Sequence, residues 1–129
     1  MPSEQVMKAA MQSYVDCFNR KDPAAIAELY SDDATVEDPV GTATKNGKAE
    51  IAAFYQMAVA TGAKLKLAAP IRASHGNSAA MAFDVQLNMP TGEAIIQVID
   101  VMTFNEEGKF TSMRAFWGKS DMVLLKAPA

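Results

Sequence analysis

Residues that bind metals or attack as nucleophiles are scarce in this chain of 129 residues, which has one cysteine and one histidine. There is no His/Cys set at metal-ligand spacing, no Gly-rich phosphate loop and no Ser–His pairing. The lone Cys17 cannot close an internal disulfide, which fits a reducing compartment. No basic cluster or stripe appears, and the net charge is -3, so a nucleic-acid footprint is not expected. No stretch approaches the ~18 apolar residues needed to span a membrane. Met1 to Ala10 lacks the apolar run of a signal peptide. The expectation is a soluble cytoplasmic protein with no membrane or nucleic-acid partner.

What is present is a core-forming chain. Half of the residues are hydrophobic, which excludes disorder. The length suits one domain over residues 1–129. Helical periodicity runs from about Ser3 to Arg20, with Val6, Met7, Ala9, Ala10, Met11, Tyr14, Cys17 and Phe18 on one broad side. Tyr14 lies near the middle of that side, so its hydroxyl needs a polar partner in the core or in a pocket. Asp22 and Pro23 open a second helix to about Tyr30. Ser31-Asp32-Asp33 reads as a turn. A third helix runs from about Lys48 to Ala60, with Ile51, Phe54, Tyr55 and Ala58 on one face and Gly62 as its stop.

The second half alternates as strands do. These are Lys64 to Ala69, Met81 to Met89, Glu93 to Phe104 and Phe110 to Lys119, with a tail from Ser120. His75 falls in an exposed turn between two of them. The order helix, helix, strand, helix, then strands predicts an α+β fold, with a curved antiparallel sheet wrapped around helices.

Two carboxylates stand on apolar strand faces. In Ala34-Thr35-Val36-Glu37-Asp38-Pro39, the alternation puts Asp38 with Ala34 and Val36, and turns Glu37 away. A carboxylate at the inner end of a strand is well placed to be a general base. The plainer alternative is a turn aspartate that braces its own backbone. On the long strand, Asp100 shares a face with Ile96, Val98, Met102 and Phe104. A carboxyl there must be neutral or paired. Neutral, it is a donor that can stabilise an anion forming on a ligand; paired, it would meet Arg114 or Lys109 across the hairpin. A sheet curled over a helix leaves a cavity. Its expected lining is Phe54, Phe83, Val85, Met113, Phe116 and Trp117, with Tyr14, Asp38 and Asp100. Such a lining suits a flat, largely hydrocarbon ligand. The other face of the long strand carries Ile95, Ile99 and Val101, which predicts a homodimer unless Val123-Leu124-Leu125 covers it.

Asp32-Asp33-Ala34-Thr35-Val36-Glu37-Asp38-Pro39, Ala52-Ala53-Phe54-Tyr55, Val98-Ile99-Asp100 and Ser112-Met113-Arg114-Ala115 resemble the bacterial ketosteroid isomerases of the nuclear-transport-factor-2-like superfamily. The resemblance covers nearly the whole chain. It implies a cone-shaped α+β fold, a homodimer, a steroid substrate and no cofactor or metal. It also implies that Asp38 is the base, that Tyr14 and Asp100 are oxyanion donors, and that Tyr55 and Tyr30 back Tyr14. This division of roles comes with the family and not from the residues. Two other readings share the fold class: another small-molecule enzyme, such as a polyketide cyclase or an epoxide hydrolase, and a non-catalytic ligand-binding module.

Overall fold

The computed structural model describes residues 1–126. The first periodic segment forms α1, Glu4–Asn19, capped by Ser3, whose Oγ accepts from the Val6 N–H at 3.1 Å. Its buried stripe is Met7, Met11, Tyr14, Val15, Cys17 and Phe18, narrower than the broad side expected, since Val6 is exposed. Asp22 Oδ1 accepts from the Ala25 N–H at 3.1 Å and starts α2, Pro23–Glu28. That helix ends before Tyr30, which instead opens β1, Tyr30–Glu37.

The expected turn at 31–33 lies inside β1. Pairing with β6, Phe110–Phe116, jumps from Tyr30 opposite Phe110 to Thr35 opposite Ser112. Three of the four residues between are surplus to the ladder, and in this bulge Asp32 and Asp33 are exposed although they lie on a strand, while Ala34 returns to the core. β1 also pairs with β2, Lys45–Asn46, a two-residue strand just before the third helix. Then comes α3, Gly47–Ala60, followed by Gly62 at φ +79°, which glycine adopts without penalty.

The remaining strands are β3 (Lys64–Leu67), β4 (Ser78–Met89), β5 (Gly92–Phe104) and β7 (Met122–Lys126). The sheet order is β2-β1-β6-β5-β4-β3. Every pairing is antiparallel except β1 with β6. That pair can be parallel because a long excursion through α3 and the β3–β5 meander separates its strands. β7 replaces the expected tail and pairs with residues 93–96 of β5, alongside the half that β6 leaves free.

β5 alternates without a break. Ala94, Ile96, Val98, Asp100, Met102 and Phe104 are buried, and the residues between them are not. The helices pack on the buried face and form one core with it. The opposite face stays uncovered among the described residues. Ile99 is 50% exposed and Phe116, its partner across the β5–β6 ladder, 41%. β7 extends the sheet edgewise instead of covering that face, and its own Val123, Leu124 and Leu125 are exposed.

Candidate active site

A cavity of about 300 Å³ opens between the helices and the concave sheet face. Tyr14 and Phe18 line it from α1, Phe54, Tyr55 and Ala58 from α3, and Phe83, Val85, Ile96 and Val98 from the sheet. Asp38 and Trp117 complete the wall at the ends of β1 and β6. The volume and mostly apolar lining fall within the range of small-molecule sites.

Asp38 is held from outside its own turn. Its Oδ1 accepts from Trp117 Nε1 at 3.1 Å. The turn is braced by its neighbour instead: Glu37 accepts from the Gly41 N–H at 3.0 Å and from Arg114 Nε at 3.4 Å. Those bonds, the Gly41 N–H first, hold Glu37 below the usual carboxylate range. The role suggested for a turn aspartate therefore falls to Glu37, and Asp38 is left facing the cavity. Burial raises Asp38 above the ordinary carboxylate value, opposed by the Trp117 N–H and by the positive charge of Lys45.

The three tyrosines form a directed chain. The Tyr55 hydroxyl donates to the Tyr14 oxygen at 3.0 Å. Tyr30 and Tyr55 hydroxyls lie 2.6 Å apart. The one Tyr55 proton is committed to Tyr14, so Tyr30 must be the donor in that second bond. Among the described residues the Tyr14 proton has no partner, and Tyr14 lines the cavity, where a ligand could take it. Burial is the main cause that pushes the Tyr14 hydroxyl well above its ordinary value, so it stays protonated at neutral pH. The rings pack edge-to-face, Tyr14 against Tyr55 with centroids 5.7 Å apart, which fixes the hydroxyl line.

Asp100 is 1% exposed, and neither carboxyl oxygen has a hydrogen-bond partner among the described residues. It stands between Met81 and Ala115, its buried ladder partners. The pairing considered with Arg114 or Lys109 does not form: Arg114 goes to Glu37, and Lys109 Nζ donates to the Glu28 carbonyl at 2.7 Å. Burial, and then the negative charge of Asp38, push Asp100 well above the carboxylate range. The result is a neutral carboxylic acid with its donor unused. Ala115 links the two carboxyls, since its carbonyl accepts from the Val40 N–H at 2.8 Å, two residues after Asp38. The Asp38–Pro39 peptide between them is cis.

Of the lining expected from sequence, Phe54, Phe83, Val85 and Trp117 are in place, with Tyr14 and Asp38. Met113 and Phe116 are not. Met113 points inward but is packed deep in the core at 1% exposure. Phe116 falls on the outer face by strand parity, where its ring lies against Arg114. Asp100 and Tyr30 are wholly buried and do not form the open wall. Sequence reasoning missed Phe18, Leu65, Leu87, Ile96 and Val98 as lining. Phe18 is one turn after Tyr14, and Ile96 and Val98 share the face of Asp100, so the periodicity carried that signal. His75 is exposed in a bend before β4 and is not part of the cavity lining. Among the described residues no three His, Cys, Asp or Glu side chains gather as a metal site. No helix there is long and apolar enough to cross a membrane.

The sequence model of the SnoaL-like domain matches residues 11–113. A protein of Nocardioides simplex named steroid Delta-isomerase is 43% identical over 94% of this chain and 97% of its own length. Epoxide hydrolase LasB of Streptomyces lasalocidi is 27% identical over the whole chain, which spans 47% of that protein. Among solved structures, the epoxide hydrolase/cyclase-like enzyme SalBIII, described in pyran ring formation in salinomycin, superposes with a TM-score of 0.87 at 30% identity. That match covers 94% of this chain and 97% of SalBIII.

Proposed function

Since the chain belongs to the SnoaL-like family and has a close relative named steroid Delta-isomerase, we propose that it moves the double bond of a 3-oxo-Δ5-steroid into conjugation with the ketone. The observation that carries this reading is a pair of unused donors beside a carboxylate base: the free Tyr14 proton and Asp38 line one apolar cavity, and the unpartnered Asp100 acid is buried on the strand face whose Ile96 and Val98 line it. A buried polar group without a partner costs about 1–3 kcal/mol, so a ligand oxygen that meets both would be bound strongly there.

In this mechanism Asp38 takes a proton from the carbon between the ketone and the 5,6 double bond. The electron pair of that C–H bond flows into a dienolate, whose negative oxygen accepts hydrogen bonds from Tyr14 and Asp100. Asp38 then returns the proton at the far end of the conjugated system, giving the 4-ene-3-one. The substrate gains and loses nothing overall, so no cofactor enters the balance. The two donors act on charge that exists only after proton abstraction, which is where binding energy accelerates the reaction.

The assay adds 5-androstene-3,17-dione and follows absorbance of the conjugated enone. Enzymatic formation of the enone is expected; its absence at high protein concentration would reject the reading. An epoxide-opening enzyme would need an arginine to position water between two aspartates. Among the described residues the cavity lining includes no arginine, and Arg114 is on the outer face. A pure binding module has no use for a free hydroxyl and a carboxylate base in one pocket with an unpartnered acid buried beside it. A symmetric homodimer goes with this reading, seated on the uncovered outer face around Ile99 and Phe116. So does a cytoplasmic location, with which a buried, unpaired Cys17 agrees.

A further inference from the structure

Lys45 occupies an unusual place for a lysine. In β2 it stands directly opposite Val36 of β1. Residues opposed in an antiparallel ladder share a face. Val36 is fully buried, so Lys45 leans to the inner side of the sheet edge, the side on which Asp38 follows two residues later. The side chain is half-buried, and its Nζ lies 5.0 Å from the centroid of the Phe54 ring, itself a wall of the cavity. The ammonium donates to the Ala43 carbonyl at 3.2 Å and makes no ion pair among the described residues. The nearest carboxylate along the chain, Glu50, is turned to the Asn46 N–H.

We propose that Lys45 is a positioning residue for the reaction: seated on Phe54 at the cavity rim, it supplies the cation that keeps Asp38 a carboxylate once substrate has displaced water. The inference rests on the reading of Asp38 as the base and assigns it a partner. The groups that face Asp38 come from every element around it. α1 and β1 present the protonated hydroxyls of Tyr14 and Tyr30, and β5 presents the buried carboxyl of Asp100. The end of β6 presents the Trp117 N–H. Glu37 and Arg114 neutralise each other on the outer face. Lys45 is thus the positive charge felt by Asp38, and its effect on that group is to favour the ionised form. A flat hydrocarbon ligand would strip water from Asp38, and a charge pair strengthens as the local dielectric falls. The cation–π contact with Phe54 holds the ammonium at the rim without neutralising it.

This role has a signature that a structural role lacks. Stabilising the carboxylate also makes it a weaker base, so removing Lys45 should hurt at acid pH and not at alkaline pH. Lys45→Met should lower kcat/KM by roughly three- to tenfold on the acid side, from about 1 kcal/mol of lost attraction, and match or exceed the parent on the alkaline plateau. Lys45→Arg should restore the parent profile.

A readout independent of turnover is the 13Cγ resonance of Asp38 in protein labelled at aspartate, assigned by its loss in Asp38→Asn. Its titration midpoint should rise in Lys45→Met and return in Lys45→Arg. An unmoved midpoint, or an equal loss of kcat/KM at every pH, would overturn the proposal. Full activity in Asp38→Asn would instead reject Asp38 as the base, and the resonance would still report whether Lys45 acts on it.

Discussion

Trp117 and Asp38 are 79 residues apart in sequence and share one hydrogen bond of 3.1 Å at the cavity wall. The indole N–H stabilises the carboxylate form of Asp38 more than the neutral acid. Removing it in Trp117→Phe should therefore leave a base that ionises less readily. A hydrogen bond to a charged group is worth about 1.5–3 kcal/mol, so kcat/KM should fall about tenfold or more at acid pH, with partial recovery as pH rises. A pH–rate profile checks this. An identical profile would mean that the bond carries no weight in solution.

Asp38→Asn keeps the shape of the side chain and its acceptor for Trp117, but cannot take a proton. A positioned base contributes about 10²- to 10⁴-fold, and a loss at the upper end is expected, with binding of a steroid ligand retained. Steady-state kinetics beside a binding titration separates the two. Near-parental turnover would move the base elsewhere, with Glu37 the first candidate.

Tyr14→Phe and Tyr55→Phe should differ because the hydroxyl chain has a direction. Tyr14 supplies the donor to the ligand, so its loss should cost about 10²- to 10³-fold in kcat, as for other donors to a developing oxyanion in a dry site. Tyr55→Phe leaves the Tyr14 proton in place and should cost clearly less. Equal losses would show that the chain acts as one unit and not through its terminal donor.

Asp100→Leu should slow turnover by a similar 10²- to 10³-fold while the protein stays folded, because an apolar side chain suits that strand face. The acid should also leave a mark on stability. Its pKa is raised in the folded protein, so the contribution is fully present below the ordinary carboxyl value of about 3.9 and is lost as pH rises toward the folded value. Above that ordinary value the unfolded chain has released the proton and the folded chain still holds it. Parent stability should therefore fall from pH 4 to pH 7 more steeply than that of Asp100→Asn. Urea unfolding at the two pH values checks this, and parallel curves would mean that Asp100 ionises normally in the fold.

Ile99→Lys should disrupt the homodimer, since Ile99 is the exposed large apolar side chain of β5 on the uncovered face and pairs with Phe116 there. Light scattering at micromolar concentration should give a dimer for the parent and a monomer for the variant. A monomeric parent would remove the dimer from the proposal.

Local periodicity was enough to read which way the key side chains point. A strand repeats every two residues and a helix every 3.6, so Asp38, Asp100 and Tyr14 are assigned to inner faces by counting, before any partner is known. The same counting gave the three helices and the long strands. It would also have excluded Phe116, whose parity matches Ile99 and Arg114 and not Ala115. Other features have no local signature, because they depend on chain segments that meet only when folded. The bulge between Tyr30 and Thr35 exists because β6 offers too few partners. β7 is a strand only because β5 has an open lane beside it. The Tyr30–Tyr55–Tyr14 direction, the Trp117 bond and the nearness of Lys45 to Asp38 each join different elements. Backbone geometry makes a side chain's face a matter of its neighbours in sequence, whereas a hydrogen-bond partner or a nearby charge is set by which segments pack together, and that was decided by the tertiary structure alone.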